Sequence, residues 1–339
     1  MSGGVDSSVT ASILKENGFA VHGFFMLLPV PGIEKHIKRV QAVARHLDIP
    51  LHLVEIADIF NREVMDYFIR TYQQGLTPNP CVVCNRQVKF GALLKEILNR
   101  GMDKMATGHY ARIARLDSGN FVLQRGRDPI KDQSYFLCRL SFKQLQNLIL
   151  PLGELTKEEV HALAEKMDLR SIHGPESQDI CFLADETVSS FFDKQGFPDS
   201  PGDIMTGDGK VIGQHSGLWH YTIGQRRGLG LPDATPWYVK RLDAENNRLI
   251  VCKNEDLFTR HIVVRDVLWT ETAPSAPWQG LVQIRGRHPA SPASVSPGLH
   301  GEWTILFDER QRAVTPGQFA VFYRQDTVMG SGVITDKAA

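Results

Sequence analysis

The chain has 339 residues, 38 basic and 38 acidic side chains, five cysteines and 42% apolar residues. These values suit a globular protein of two or three domains, exclude general disorder, and leave no run near the roughly 20 apolar residues that cross a bilayer. Zero net charge excludes loose nucleic-acid binding through a global field, because residues 201–339 carry fifteen Lys/Arg against fourteen Asp/Glu and hide no basic half. Any polyanion has to be met by local patches. Five cysteines cannot all pair, and without a basic-then-apolar leader the expected location is the cytoplasm, where thiols stay free for chemistry.

Apolar spacing predicts a helix over 5–17, ended by Gly18, then a buried strand over 19–28. A helix over 34–47, a strand over 51–56 and a longer helix over 59–74 follow. Pro78 and Pro80 break 75–84 into a loop. A helix over 86–99, a short strand over 104–107 and a helix over 152–169 complete an alternation that predicts βαβ units and a parallel sheet. After Phe197 the pattern changes to short alternating runs (237–242, 248–252, 280–285, 302–307 and 319–323) separated by Gly, Pro and turn residues. These predict two small all-β domains with a boundary near 258–262.

Ser2-Gly3-Gly4-Val5-Asp6-Ser7-Ser8 opens the first helix. Two glycines let the backbone approach a phosphate, while serines and free N–H groups at a helix start donate to its oxygens. Asp6 is a candidate organiser of a metal or of the loop. A Walker A loop ends in Gly-Lys-Ser/Thr, and no lysine is present, so the loop suits pyrophosphate rather than γ-phosphate transfer. The run resembles the pyrophosphate loop of the ATP-pyrophosphatase family, which splits ATP between the α and β phosphates to adenylate a substrate oxygen. The loop alone leaves amidotransferases, ligases and sulfur-transfer enzymes open.

Asn79-Pro80-Cys81-Val82-Val83-Cys84-Asn85 places two thiols at a predicted helix start, where the dipole is expected to lower a thiol's pKa. Half a zinc site, a thioredoxin-like pair and sulfur transfer by Cys84 with a distant partner are the competing readings. The best partner is Cys181, in Ser177-Gln178-Asp179-Ile180-Cys181-Phe182-Leu183. Cys138 and Cys252 sit in apolar runs and read as packing.

Five separated motifs then occur in order: the glycine loop, Thr77-Pro78-Asn79-Pro80 with its cysteines, Ala106-Thr107-Gly108-His109-Tyr110, 131–137 beginning Lys131-Asp132-Gln133-Ser134, and Ile180-Cys181-Phe182. Tyr221-Thr222-Ile223-Gly224-Gln225-Arg226 follows. Together they resemble the bacterial tRNA-specific 2-thiouridylases over nearly the whole chain. The resemblance implies a PP-loop α/β catalytic domain over 1–195, a central β-rich domain over 196–258 and a C-terminal β-barrel over 259–339 that grips tRNA. It implies a cytoplasmic monomer that thiolates C2 of the wobble uridine of tRNAs for Lys, Glu and Gln, using ATP and Mg2+.

In that family pattern Met1, Ser2, Gly3, Gly4, Val5, Asp6, Ser7, Ser8, Met26 and Gly108 match ATP-binding positions. Cys181 matches the persulfide carrier, loaded by a cysteine desulfurase or a sulfur-relay protein, and Cys84 the nucleophile, with a transient Cys84–Cys181 disulfide. Asn79, Pro80 and Cys81 match the segment against the target base. His109, Lys131, Asp132, Gln133, Arg285, Gly286 and Gln318 match tRNA contacts, and Arg226-Arg227 and Arg285 to His288 supply local basic patches. Many members carry Asp where this chain has Cys81, and Arg285-Gly286 lacks the aromatic usual in that pair. Cys81, Cys84 and Cys181 are also a candidate ligand set for an iron–sulfur cluster with one open iron, which would bind sulfide directly. Other readings are a different adenylating ligase on the same loop, and a non-catalytic RNA-binding protein with a zinc-stabilised loop. The family's loop is fed by a buried strand, whereas this chain opens on the loop itself.

Overall fold

A computed structural model describes residues 1–169, 180–183 and 186–336. The chain divides into two compact units, one of Met1–Met65, Pro80–Ala184 and Asp326–Val328, the other of Asp66–Asn79, Asp185–Gln325 and Met329–Ala339.

The first unit begins with α1 (Val5–Glu16), β1 (Gly23–Leu27), α2 (Ile33–His46) and β2 (Leu51–Glu55), with β1 and β2 paired in parallel. α3 (Ala57–Phe60) leads into a π-helical turn (Asn61–Met65), and α4 (Asp66–Gln73) belongs to the second unit. α5 (Pro80–Val83), a π-helical stretch (Cys84–Leu93) and α6 (Leu94–Asn99) run on from one another. Pro80 therefore opens a helix instead of breaking a loop, because proline at a first helical position gives up an N–H that has no partner there anyway. β3 (Met105–Ala106) pairs in parallel with β6 (Leu148–Ile149), so the predicted parallel strands form two separate pairs among the described residues. Between them lie an unpredicted antiparallel hairpin, β4 (Ala111–Arg115) with β5 (Phe121–Arg125), then α7 (Ser134–Leu137) and α8 (Phe142–Leu145). α9 (Lys157–Lys166) starts at a Thr156–Glu159 capping box, and Val160 and Ala164 on it pack with Val5 and Val9 of α1 and Val43 of α2. The phosphate-loop helix is thus gripped by its apolar face, which leaves its N-terminus for a ligand.

In the second unit, α10 (Val188–Lys194) contributes Phe191 and Phe192 to an aromatic cluster with Phe68, Tyr72 and Trp219. A four-stranded sheet runs in the order β8 (Val211–His215), β7 (Gly202–Thr206), β10 (Arg248–Cys252), β9 (Tyr238–Asp243). Six strands then close into a barrel: β11 (Phe258–Trp269), β12 (Trp278–Gln283), β13 (Ser291–Pro297), β14 (Trp303–Arg312), β15 (Phe319–Arg324) and β16 (Thr327–Ile334). Their order is β11-β14-β13-β12-β15-β16, with β16 returning to β11, so no edge is left unpaired. Val264, Val282, Val295, Ile305 and Phe322 fill its core.

Candidate active site

The glycine loop turns at Gly3, whose φ of +74° only glycine adopts without strain. A Cβ there would also press on Arg39 and Val40 at 3.1–3.2 Å. Gly4 is the N-cap of α1 and supplies no side-chain cap, so the first N–H groups of the helix are left for an anion. The serines meanwhile satisfy one another. Ser7 and Ser8 each donate to the Gly4 carbonyl at 3.0 Å, and Ser7 Oγ lies 3.2 Å from Ser2 Oγ. Asp6 organises the loop: its Oδ1 accepts from Tyr110 Oη and from Lys157 Nζ, both at 2.8 Å. Gly108 packs so closely that a Cβ would stand 2.8–3.0 Å from the Asp6 backbone and Cβ. Met26 is the fourth residue of β1 and half-buried. Tyr110 was read from the sequence only as the last residue of the Gly108 motif, with no role given to it, and Lys157 was not picked.

Cys81, Cys84 and Cys181 lie in that same unit, whereas Cys252 belongs to the other. Cys81 is in the first turn of the α5 helix and Cys84 in the second, both half-buried, while Cys181 is exposed. All five cysteines are free thiols, and Cys138 and Cys252 are buried as packing residues. Cys81, Cys84 and Cys181 lie close enough for their charges to interact, and the Lys89 charge is within range of all three. Partial burial pushes the Cys81 thiol up to about 11 and Cys84 to about 12, while Lys89 pulls both of them down. The net shift runs opposite to the lowering expected from a helix start, because desolvation outweighs the lysine. Lys89 was missed in the sequence. It sits five residues after Cys84, a spacing that the π-helical stretch Cys84–Leu93 brings onto a shared face. Among the described residues no group of three or more His, Cys, Asp or Glu side chains is gathered to hold a metal ion. The three cysteines as placed do not form the ligand set of an iron–sulfur cluster. The motif residues Ser177, Gln178 and Asp179 lie outside the described residues.

The widened helix meets a side chain from outside it. Gln144, at the third position of α8, donates from its amide to the carbonyls of both Arg86 and Phe90, at 2.8 and 2.9 Å. A side chain inserted into the ladder in this way displaces the ordinary i to i+4 pairing. Next to Lys89, Phe90 lies against the His109 ring at 5.6 Å. His109 holds Thr107 Oγ1 at 2.8 Å through Nδ1, and burial lowers its pKa well below the usual value. It offers a neutral ring, not a cation.

The other candidate RNA contacts divide sharply. Asp132 accepts from Gly126 N, Ser134 N, Ser134 Oγ and Arg125, and Gln133 exchanges hydrogen bonds with the Tyr110 backbone. Both shape the segment that presents Lys131. In the second unit Gln318 donates to the carbonyls of Thr77 and Pro78, at 3.0 and 2.9 Å, and accepts from Asn79 at 3.2 Å. Two residues read separately from the sequence thus meet, and Asn79 stands one peptide bond before Pro80. Arg285 directs its guanidinium to the Ala313 carbonyl and the Thr315 hydroxyl, and Gln283 donates to the Arg285 and Gly286 carbonyls. Arg226, Arg227 and Arg287 are the exposed members of the two basic patches.

Comparison with known proteins decides the family. Residues 1–185 match the model described as tRNA methyl transferase HUP domain, 190–253 a tRNA methyl transferase PRC-barrel domain, and 259–334 an aminomethyltransferase beta-barrel domain. The tRNA-specific 2-thiouridylase MnmA of Desulfotalea psychrophila is 44% identical, over 98% of this chain and 97% of its own. Those of Carboxydothermus hydrogenoformans and Moorella thermoacetica are 42% and 43% identical, over 98% and 100% of this chain and 96% and 99% of theirs. This chain belongs to the tRNA-specific 2-thiouridylase family. The α/β domain with parallel strands, the β-rich central domain and the C-terminal barrel predicted from the sequence are the architecture of that family. The uncapped helix at Gly4 and the thiols of Cys81, Cys84 and Cys181 belong to one unit.

Proposed function

We propose that this chain is an ATP-dependent sulfurtransferase that converts the wobble uridine (position 34) of tRNAs for Lys, Glu and Gln to 2-thiouridine. The observation that carries the proposal is the presence of three free thiols, Cys81, Cys84 and Cys181, in the unit that also presents the glycine loop at an uncapped helix. Ser2, Gly3, Gly4, Val5, Asp6, Ser7 and Ser8, with Met1, Met26 and Gly108, bind ATP. Mg2+ would neutralise the departing pyrophosphate, and Asp6 Oδ2 would hold it, because Tyr110 and Lys157 both engage Oδ1. No step is routed through an iron–sulfur cluster.

Uracil O2 attacks the α-phosphorus and pyrophosphate leaves, which turns O2 into part of a leaving group. Cys181 carries a persulfide delivered by a desulfurase or relay protein, and its terminal sulfur attacks C2 as AMP departs. Cys84 then attacks the Cys181 sulfur. The S–S bond breaks, its electron pair stays on the base's sulfur, and a Cys84–Cys181 disulfide remains for a two-electron reductant to reset. The reacting base must leave its stack to reach these thiols. Asn79, Pro80 and Cys81 lie against it, while His109, Lys131, Asp132, Gln133, Gly286 and Gln318 hold the tRNA and Arg285 braces that surface through Ala313 and Thr315. The protein acts as a cytoplasmic monomer with domains at 1–195, 196–258 and 259–339; the family matches at 1–185, 190–253 and 259–334 support that division.

The test is a thiolation assay with unmodified tRNA, ATP, Mg2+ and a persulfide donor. Cys84→Ser and Cys181→Ser should each abolish 2-thiouridine while leaving tRNA binding intact. Normal thiolation by either variant removes that cysteine from the mechanism.

A further inference from the structure

Two chains of hydrogen bonds leave the same oxygen of the phosphate loop and end on the same distant segment. From Asp6 Oδ1 the first runs through the Tyr110 hydroxyl at 2.8 Å. The Tyr110 backbone then accepts from Gln133 N at 2.8 Å and donates to Gln133 Oε1 at 3.0 Å. The second runs through Lys157 Nζ at 2.8 Å, and the Lys157 N–H donates to Asp128 Oδ2 at 2.9 Å. Asp128 Oδ1 in turn accepts from the N–H groups of Ile130 and Lys131, at 2.9 and 3.2 Å. The ring therefore closes across Lys131-Asp132-Gln133. Its middle members are buried: Tyr110 is 2% exposed, and Asp128 and Lys157 are each 9% exposed. Hydrogen bonds there are little screened by solvent and reinforce one another. Burial opposes the charge on Asp128, but three backbone donors outweigh it and hold the carboxyl below its usual range.

We propose that this ring couples the ATP loop to the tRNA-contact segment, with Tyr110 and Lys157 as the positioning residues through which either substrate orders the site of the other. The inference rests on the thiouridylase reading, which makes 131–133 a tRNA contact. Each loop pays a conformational cost when its ligand orders it. Because the loops share one ring, the ligand that binds first pays part of the cost for both. ATP is thereby bound tightly only when tRNA is present to receive the adenylate.

The experiment uses the full chain, α,β-methylene ATP and unmodified tRNA, and measures the affinity of each with and without the other. In the native protein each should tighten the other by the same factor, about 5- to 150-fold, since coupling between two sites is reciprocal. Tyr110→Phe cuts one path and Lys157→Met the other. Each should lower the factor, the double variant should bring it to about one while tRNA affinity without nucleotide is unchanged, and Lys157→Arg should restore part of it. A double variant that keeps the native factor overturns the proposal, as does native protein that thiolates tRNA without any coupling. Native protein that neither binds nor thiolates tRNA instead overturns the functional reading beneath it.

Discussion

At the scale of single residues, the chemistry of this site turns on how a buried thiol is kept and then released. Cys84 at about 12 and Cys81 at about 11 are fully protonated at neutral pH, because losing a proton would place an anion where water cannot solvate it. A thiol held neutral in this way resists oxidation and stray alkylation until a substrate changes its surroundings. Two measurements follow. Alkylation of Cys84 in the free enzyme should still be rising well past pH 9, while an unperturbed thiol levels off above its pKa of about 8.5. A plateau near that value would show that burial does not control it. Lys89→Met removes the cation that offsets burial, so alkylation at any fixed pH should slow further, and Lys89→Arg should restore much of the rate. The same shift fixes the sign of a stability effect. Stability due to the neutral folded thiol is fully present below the unfolded thiol's pKa, and is lost as pH rises through that value toward about 12. Melting temperature should accordingly fall above pH 9, and fall less steeply in Cys84→Ser.

Between elements, the decisive contacts are backbone against backbone. Gly108 follows β3, and any Cβ there meets the main chain of Asp6 at 2.8–3.0 Å. Neither partner is a flexible side-chain end, so the loop itself has to move. Gly108→Ala should cost about 1–3 kcal/mol, the usual penalty of overpacking. Its distinguishing sign is an increased KM for ATP with tRNA affinity unchanged; an unchanged KM would mean that the loop yields freely. Gln144→Ala tests the widened helix. It removes two part-buried hydrogen bonds to the Arg86 and Phe90 carbonyls, at about 0.5–1.5 kcal/mol each. The denaturant midpoint should drop, and thiolation should fall as the face shared by Cys84 and Lys89 changes.

These elements also show what could be read in advance. The helices and parallel strands of the first unit were legible because their apolar spacing is regular, and the five motifs carried the family. The β4–β5 hairpin was not, because Arg112, Arg115 and Arg125 interrupt its alternation, and the partner of Arg112, Asp326, is distant in sequence. β13 contains Pro292 and Pro297, which argue against a strand, yet it pairs on both sides within the barrel. The ring through Tyr110 and Lys157 was invisible for a simpler reason: its partners are 104 and 151 residues from Asp6, a distance that no local pattern spans. Lys89 went unnoticed because an i+5 spacing has meaning only in a π-helix, and the Gln144 insertion that makes one is itself a tertiary event.

For the whole molecule, zero net charge sets how tRNA must be held. A protein with no overall attraction for a polyanion binds through a few fixed contacts, and each phosphate neutralised adds about −0.7 to −0.9 to the slope of log K against log salt. Arg226 and Arg227 are exposed beside Gly224, a turn residue at φ +83° where a Cβ would also meet Ala313. The pair is therefore presented on a fixed turn. Arg285, by contrast, is committed to the barrel through Ala313 and Thr315, and Arg287 is the exposed arginine of its cluster. Changing Arg226, Arg227 and Arg287 singly to Gln should weaken tRNA binding uniformly across tRNA sequences and reduce the salt slope by about one each. Arg285→Gln should instead lower the melting temperature and leave the slope almost unchanged. If Arg285→Gln flattened the slope while Arg287→Gln left it intact, the two arginines would have exchanged roles, and the barrel's RNA-facing side would have to be assigned to the opposite end of β12.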